Sequence, residues 1–286
     1  MPTHDDAQQI FQQGIHAIQR GYYLQATTLF ERALELYQTL PGTEHEQANC
    51  LGLLANTLGE LGKPAQAEPY YRQALTLVQT LPGTEHNQAA CLNNLATTLR
   101  EQDKPADAEP YYHQALTLYQ DIPNTQRDQA NCLGDLAHTL RMLGKLAQAE
   151  PYYRQALTLY QDIPGTEHDQ AACLHNLANT LADLGQPAQA EPHYHQALTL
   201  YQDIPNTEEN QADCLYNLAT TLADLGKPAQ AEPHYRQALT LYQDIPGTEH
   251  DQAACLHSLA TTLRELGQPA DAEPYYRQAL GLGWCC

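Results

Sequence analysis

The sequence predicts an all-α repeat array, a solenoid of seven helical hairpins, and three observations carry that prediction. Six cysteines, Cys50, Cys91, Cys132, Cys173, Cys214 and Cys255, stand at one interval of 41 residues. A proline keeps the same step through Pro41, Pro82, Pro123, Pro164, Pro205 and Pro246. A fixed period between about 20 and 50 residues marks a solenoid, a propeller or an array. The composition then selects helices: with two Phe, two Met and one Trp, the core must be built from Leu, Ala and Tyr, and Leu and Ala are strong helix formers.

In a solenoid each unit touches only its neighbours, so residues 1–286 are read as one domain. The units are 6–46, 47–87, 88–128, 129–169, 170–210, 211–251 and 252–286. The first is divergent. Counting back one period from Ala55 and Ala67 gives Gly14 and Ala26, with Ile10, Phe11 and Phe30 in core places, while Gln8, Gln9, Gln12 and Gln13 make a polar cap. The fifth unit shows the internal pattern. Gln170 to Gly185 carries Leu174, Leu177, Ala178, Leu181 and Leu184 at spacings of three and four, one face of an amphipathic helix closed by a C-cap glycine. Pro187 then suits the first turn of a second helix, which turns Ala190, Tyr194, Ala197, Leu198 and Tyr201 inward and ends near Ile204. Pro205-Asn206-Thr207, or Pro164-Gly165-Thr166, makes the turn into the next unit. Asp103 replaces the glycine of the third unit at a left-handed position, which Asp tolerates at some cost. The Glu-Pro pairs put a proline past the first turn of each second helix, where it should bend the helix. The seventh unit stops at Gly281-Leu282-Gly283, followed by Trp284. That apolar end is expected to be exposed and open to homodimer formation.

At this level of detail the unit resembles the tetratricopeptide repeat. Leu177-Ala178, Leu181, Gly185, Ala190, Tyr194 and Ala197 fall on that family's signature positions, in a unit longer than the usual one of about 34 residues. Asn94-Leu95-Ala96, Asn176-Leu177-Ala178 and Asn217-Leu218-Ala219, with Ala-Glu-Pro from Ala67-Glu68-Pro69 to Ala272-Glu273-Pro274, are similar to the long-period kinesin light chain type and to bacterial arrays like it. The resemblance implies a right-handed superhelix whose first helices line the concave side. It also implies a non-enzymatic protein-interaction scaffold.

Charge and composition exclude several classes of function. The formal net charge of −20 repels a phosphate backbone, so neither nucleic acid nor an anionic membrane is an expected partner. No 18 apolar residues follow one another and no secretory leader is recognisable, so a cytoplasmic location is expected. Periodic cysteines one repeat apart are too distant for disulfides and are read as small buried hydrophobes, reduced in the cytosol. His193 and His195 face different ways on a helix, and His45, His86, His168 and His250 are placed in turns, so no metal or other cofactor is expected. Ser258 is the one serine, and every notable acid, Cys or His belongs to the repeat, whereas catalysis needs one preorganised constellation. No enzymatic activity is expected. Cys285-Cys286 matches the end of prenylated small GTPases by two letters and is read as incidental.

What varies between units is the face of the first helices away from the Leu stripe. It carries Asn94, Thr97 and Arg100 in the third unit, His138 and Arg141 in the fourth, and His175, Asn176 and Asn179 in the fifth. Tyr216, Asn217 and Thr220 follow in the sixth, and His257, Thr261 and Arg264 in the seventh. Amides both donate and accept, so Asn94, Asn176 and Asn217 could clamp the backbone of an extended peptide as the resemblance to kinesin light chain implies. A merely hydrated polar face is the alternative. Glu60, Glu101, Asp183, Asp224 and Glu265 recur near the C-terminal ends of these helices, where the helix dipole disfavours them, and they point to a basic or amide-rich partner. Two other readings stay open: a self-assembling structural module, and the sensor array of a larger signalling protein.

Overall fold

The computed structural model describes residues 3–283; Trp284, Cys285 and Cys286, with the expectations placed on them, lie outside. Among the described residues there are fourteen helices and no strand, and the chain divides into two compact units, the first unit Met1–Lys145 and the second unit Leu146–Cys286, the 41-residue stretches being their repeats. The first unit holds α1 (His4–Gln19), α2 (Tyr23–Gln38), α3 (Glu44–Glu60), α4 (Pro64–Val78), α5 (Glu85–Glu101), α6 (Pro105–Asp121) and α7 (Gln126–Met142). The second holds α8 (Leu146–Gln161), α9 (Glu167–Asp183), α10 (Pro187–Gln202), α11 (Glu208–Asp224), α12 (Pro228–Asp244), α13 (Glu249–Glu265) and α14 (Pro269–Gly281).

Within each unit a helix packs on its hairpin partner and on the first helix of the next hairpin. Proline opens α4, α6, α10, α12 and α14, where its missing N–H is an orphan anyway. The internal prolines, Pro69 to Pro274, sit inside continuous helices. Gly62, Gly144, Gly185, Gly226 and Gly267 turn each corner at positive φ, and Asp103 takes the same conformation at φ 56°. Gly14 is required for another reason: a Cβ there would lie 2.6 Å from the ring of Phe30, which is fully buried where the sequence placed it. Ile10 and Phe11 are only half-buried.

The first helices begin earlier than the apolar period suggests. α9 starts at Glu167, so His45, His86, His168 and His250 lie in first turns of helices. The preceding threonine explains the shift. Thr43, Thr84, Thr125, Thr166, Thr207 and Thr248 are buried, and each hydroxyl donates to the carbonyl six residues back, at 2.5 to 2.7 Å. Four residues on, Gln47, Gln88, Gln129, Gln170, Gln211 and Gln252 donate their side-chain amides to the same carbonyl. That carbonyl belongs to the last turn of a second helix, where the i+4 N–H is lost and only the N–H three residues on reaches it. Thr-x-x-x-Gln therefore closes the corner and fixes where the next helix starts. The acids after it, such as Glu167 and Asp169, suit the positive end of the dipole.

Five of the six periodic cysteines are buried and all six are free thiols. Cys132, Cys173, Cys214 and Cys255 donate to the carbonyls of Tyr112, Tyr153, Tyr194 and Tyr235 at 3.2 to 3.4 Å. Cys91 is the exception to the expected burial, half-exposed beside a cavity. Burial pushes the thiols of Cys50, Cys173, Cys214 and Cys255 up to about 12, and that of Cys91 to about 11. In the last hairpin Leu280 is 57% exposed where its counterpart Leu239 is 7%.

Two outcomes follow. Thr207→Val should cost about 1 kcal/mol by removing the hydroxyl's bond to the Tyr201 carbonyl, which keeps only Gln211 and the Ile204 N–H, while Thr207→Ser should not; equal urea midpoints for Thr207→Val and the native chain would contradict the role of the corner. In native-state alkylation followed by peptide mapping, Cys91 should label before the other five periodic cysteines, and labelling of Cys132 at the same rate would contradict the burial pattern.

Candidate functional site on the first helices

The hairpin frame delivers a tyrosine from α4, α6, α10, α12 and α14 to the underside of the variable face. In the first unit the Tyr71 hydroxyl donates to Asn56 Oδ1, Asn94 Nδ2 donates to the same oxygen at 3.3 Å, and Thr97 Oγ1 pairs with the Tyr112 hydroxyl at 2.9 Å. In the second unit Tyr194 donates to Asn179 Oδ1 at 2.6 Å, and Thr220 and Thr261 pair with Tyr235 and Tyr276 at 3.0 and 3.1 Å. Each tyrosine stands fifteen residues after its partner, a recurrence visible in the sequence but hidden from a search for helical spacing. A second set of bonds joins neighbouring first helices. Asn217 Nδ2 donates to Asn179 Oδ1 at 3.2 Å and lies 3.0 Å from His175 Nε2, and Tyr216 meets Ser258 at 3.4 Å.

These bonds refine the expected amide clamp. In the first unit the structure brings together Asn94, Thr97, Arg100, His138 and Arg141 on α5 and α7. In the second it brings together His175, Asn176 and Asn179 on α9, Tyr216, Asn217 and Thr220 on α11, and His257, Thr261 and Arg264 on α13. All are half-buried except Arg264, which is exposed. Asn94 and Asn217 spend amide N–H groups on neighbouring repeats, so their carbonyl oxygens are what they offer outward. Glu60, Glu101, Asp183, Asp224 and Glu265 are exposed.

The same register is treated differently in the two units. Two residues after the periodic cysteine, His175, Tyr216 and His257 set their rings edge-on to Tyr194, Tyr235 and Tyr276 at 5.9, 5.7 and 5.5 Å, a favoured aromatic geometry. At that register α3 carries Gly52, and a cavity of about 290 Å³ opens among Phe11, Gly52, Leu53, Asn56, Tyr71 and Cys91. A further cavity of about 510 Å³ shares Asn56, Tyr71 and Asn94 with it and reaches Glu60 and Glu101. Neither Gly52 nor Tyr71 was singled out by sequence reasoning.

On α7 the charges are arranged otherwise. Arg100 Nη1 donates to Asp135 Oδ1 at 2.8 Å. Burial lowers the pKa of His138 below its ordinary value, and Arg100 and Arg141 lower it further against the opposing pull of Asp135. In the second unit burial raises the Asp213 carboxyl, although the Tyr242 hydroxyl donates to it at 2.7 Å. No group of three or more His, Cys, Asp or Glu among the described residues is placed to hold a metal ion, and no described helix is long and apolar enough to cross a membrane.

A tetratricopeptide-repeat family model matches residues 6–80, 60–121, 88–162, 128–203 and 210–282. No curated protein sequence matches the chain. Among solved structures it is similar to nearly identical TPR-like repeats of a putative kinesin light chain from Podosopora anserina, at 16% identity over 71% of this chain and 97% of that one, TM-score 0.59. It is also similar to a signal transduction ATPase with numerous domains and a tetratricopeptide-repeat sensor from Pyrococcus horikoshii, at 17% identity over 96% of this chain and 41% of that one, TM-score 0.78. A third is a Rap protein complexed with competence and sporulation factor, at 15% identity over 96% of this chain and 73% of that one, TM-score 0.59.

His138 sets a pH dependence whose sign is fixed. Its folded pKa lies below the unfolded value of 6.5, so the fold favours the neutral ring, and stability is lost as pH falls through 6.5 towards the folded pKa. His193 and His234 are shifted the same way, chiefly by burial, and add to the loss. Between about pH 7 and pH 5, His138→Gln should lose less stability in urea than the native chain; an equal or larger loss would contradict the assignment.

Proposed function

We propose that this chain, which belongs to the tetratricopeptide-repeat family, is a non-enzymatic protein-interaction module in which each unit takes an extended peptide, or a segment of a partner protein, on the polar face of its first helices. One observation carries the reading. The buried positions repeat with little change, as the fully buried Leu54, Leu95, Leu136, Leu177, Leu218 and Leu259 do, while the outward positions of the same helices differ from hairpin to hairpin. A frame held constant beneath a changing surface is the arrangement of a recognition face.

The chemistry of the face narrows the partner. Amide oxygens of Asn94 and Asn217 accept from a peptide's backbone N–H groups, and the five exposed carboxylates, in a chain of net charge −20, favour a basic or amide-rich segment over an acidic one. The same charge argues against nucleic acid. Free buried thiols suit the reducing cytoplasm as its place of work. The likeness to a Rap protein complexed with a factor supports a binding role for the fold. A second reading, the sensor array of a larger signalling protein, is favoured by the likeness to the sensor-bearing ATPase, and it assigns the binding to the same face.

Random peptides displayed against the immobilised full chain test the proposal. Peptides selected on the native chain that engage the second unit should bind Asn217→Ala about five- to tenfold more weakly, the loss of one backbone hydrogen bond in a partly desolvated site, at a temperature where the variant, slightly destabilised by losing its bond to Asn179, is still fully folded. Selection of no peptide, or selection of peptides indifferent to every first-helix substitution, would contradict it.

A further inference from the structure

We infer that the first unit recognises an aromatic or imidazole side chain of its peptide, seated over Tyr71 in the space left open at Gly52, with a basic residue of the same peptide reaching Glu60 and Glu101. The inference rests on the reading that the first helices bind peptides, and it names the ligand chemistry of one part of that face.

The second unit supplies the template. There the array covers its own tyrosines: His175, Tyr216 and His257 lie edge-on to Tyr194, Tyr235 and Tyr276. Tyr71 is the equivalent tyrosine of the α3–α4 hairpin; it is buried too, but it borders a cavity where the others meet a ring, because α3 carries Gly52 at that register. Glycine in a helix interior lowers stability relative to alanine, and nothing in the fold asks for it here. Gly52 does not have positive φ, and a Cβ built on it meets no atom within 4 Å. The contrast with Gly14, whose missing side chain makes room for Phe30, is direct. Gly52 makes room for nothing that belongs to this chain.

The space has the size and lining of a side-chain pocket. Its volume of about 290 Å³ is at the small end for a binding cavity, which suits one ring rather than a whole ligand. Phe11, Leu53 and Val78 provide apolar wall, and Asn56 and Asn94 place amides at the mouth. A peptide ring entering there restores the edge-to-face contact that the second unit makes internally.

Charge sets the other half of the motif. The adjoining cavity ends at Glu60 and Glu101, which are exposed and form no ion pair among the described residues. Gly52 and Glu60 are eight positions apart on α3, about 12 Å at 1.5 Å per residue. Three or four extended residues of about 3.3 Å each cover that distance. The expected ligand is therefore a ring followed or preceded, three or four residues away, by Lys or Arg.

Selection of displayed random nonapeptides on the full chain, in parallel with three variants, tests the inference. The native chain should enrich Tyr, Phe, Trp or His spaced three or four residues from Lys or Arg. Gly52→His should melt no lower than the native chain, because its ring drops onto Tyr71, and should bind the enriched peptides about tenfold or more weakly. Gly52→Ala, which leaves most of the cavity, should melt higher and bind as the native chain does. Glu60→Gln with Glu101→Gln, both on the surface, should keep the preference for a ring and lose that for a base. Folded Gly52→His binding the same peptides as tightly as the native chain would overturn the inference, as would enriched peptides without rings. If the selected peptides respond to Asn217→Ala but not to Gly52→His, the first helices bind and this pocket does not; if none is selected, the broader reading has failed with it.

Discussion

The architecture depends on what is done with one backbone carbonyl per repeat. A second helix that ends against the next hairpin leaves a last-turn carbonyl with one backbone N–H, three residues on, and with acceptor capacity to spare. Here the carbonyl of Tyr37, Val78, Tyr119, Tyr160, Tyr201 or Tyr242 receives a buried threonine hydroxyl and a glutamine amide from the chain that follows. Each of these added bonds is worth about 1 kcal/mol, so each corner has one good geometry. The first turn of the next helix is thereby fixed, and with it the depth at which Cys and Leu enter against the preceding second helix. A repeat built this way can be copied without adjustment, which is why the period never slips.

A saturated frame also decides where difference can be tolerated. Buried positions are committed to Leu, Ala, Tyr and Thr, and five of the tyrosine hydroxyls are engaged as well, at Asn56, Thr97, Asn179, Thr220 and Thr261. What remains adjustable is the outward row of the first helices. The two units use it in opposite ways: the second fills the space above its tyrosines with His175, Tyr216 and His257, whereas the first leaves a cavity at Gly52.

Much of the frame was legible in the sequence because it is periodic at the spacings of a helix. The Leu stripe, the proline at five of the second-helix starts, Phe30 in the core and the left-handed Asp103 all obey local rules that act within a turn or two. The parts that escaped depend on longer separations. Thr166 looked like a turn residue because its acceptor, the Tyr160 carbonyl, stands six residues back. The tyrosine partners lie fifteen residues away, and the bond from Asn217 to Asn179 crosses thirty-eight. Asn94, Asn176 and Asn217 lie half-buried on first helices, and sequence could not say that Asn94 and Asn217 are already bonded across repeats. Cys91 was expected to be buried like the other five, and the missing side chain at Gly52, one repeat earlier, is what opens its surroundings.

The account makes the first helices the recognising surface and the second helices its support. Chemical-shift mapping of the full chain with a selected peptide bound tests that division most directly. The account predicts that the perturbed backbone amides cluster on the outward residues of first helices, around Asn56 and Asn94 in the first unit or Asn179 and Asn217 in the second. Perturbations concentrated instead on the outward residues of second helices, around Arg72 and Tyr111 or Arg236 and Tyr275, would contradict it.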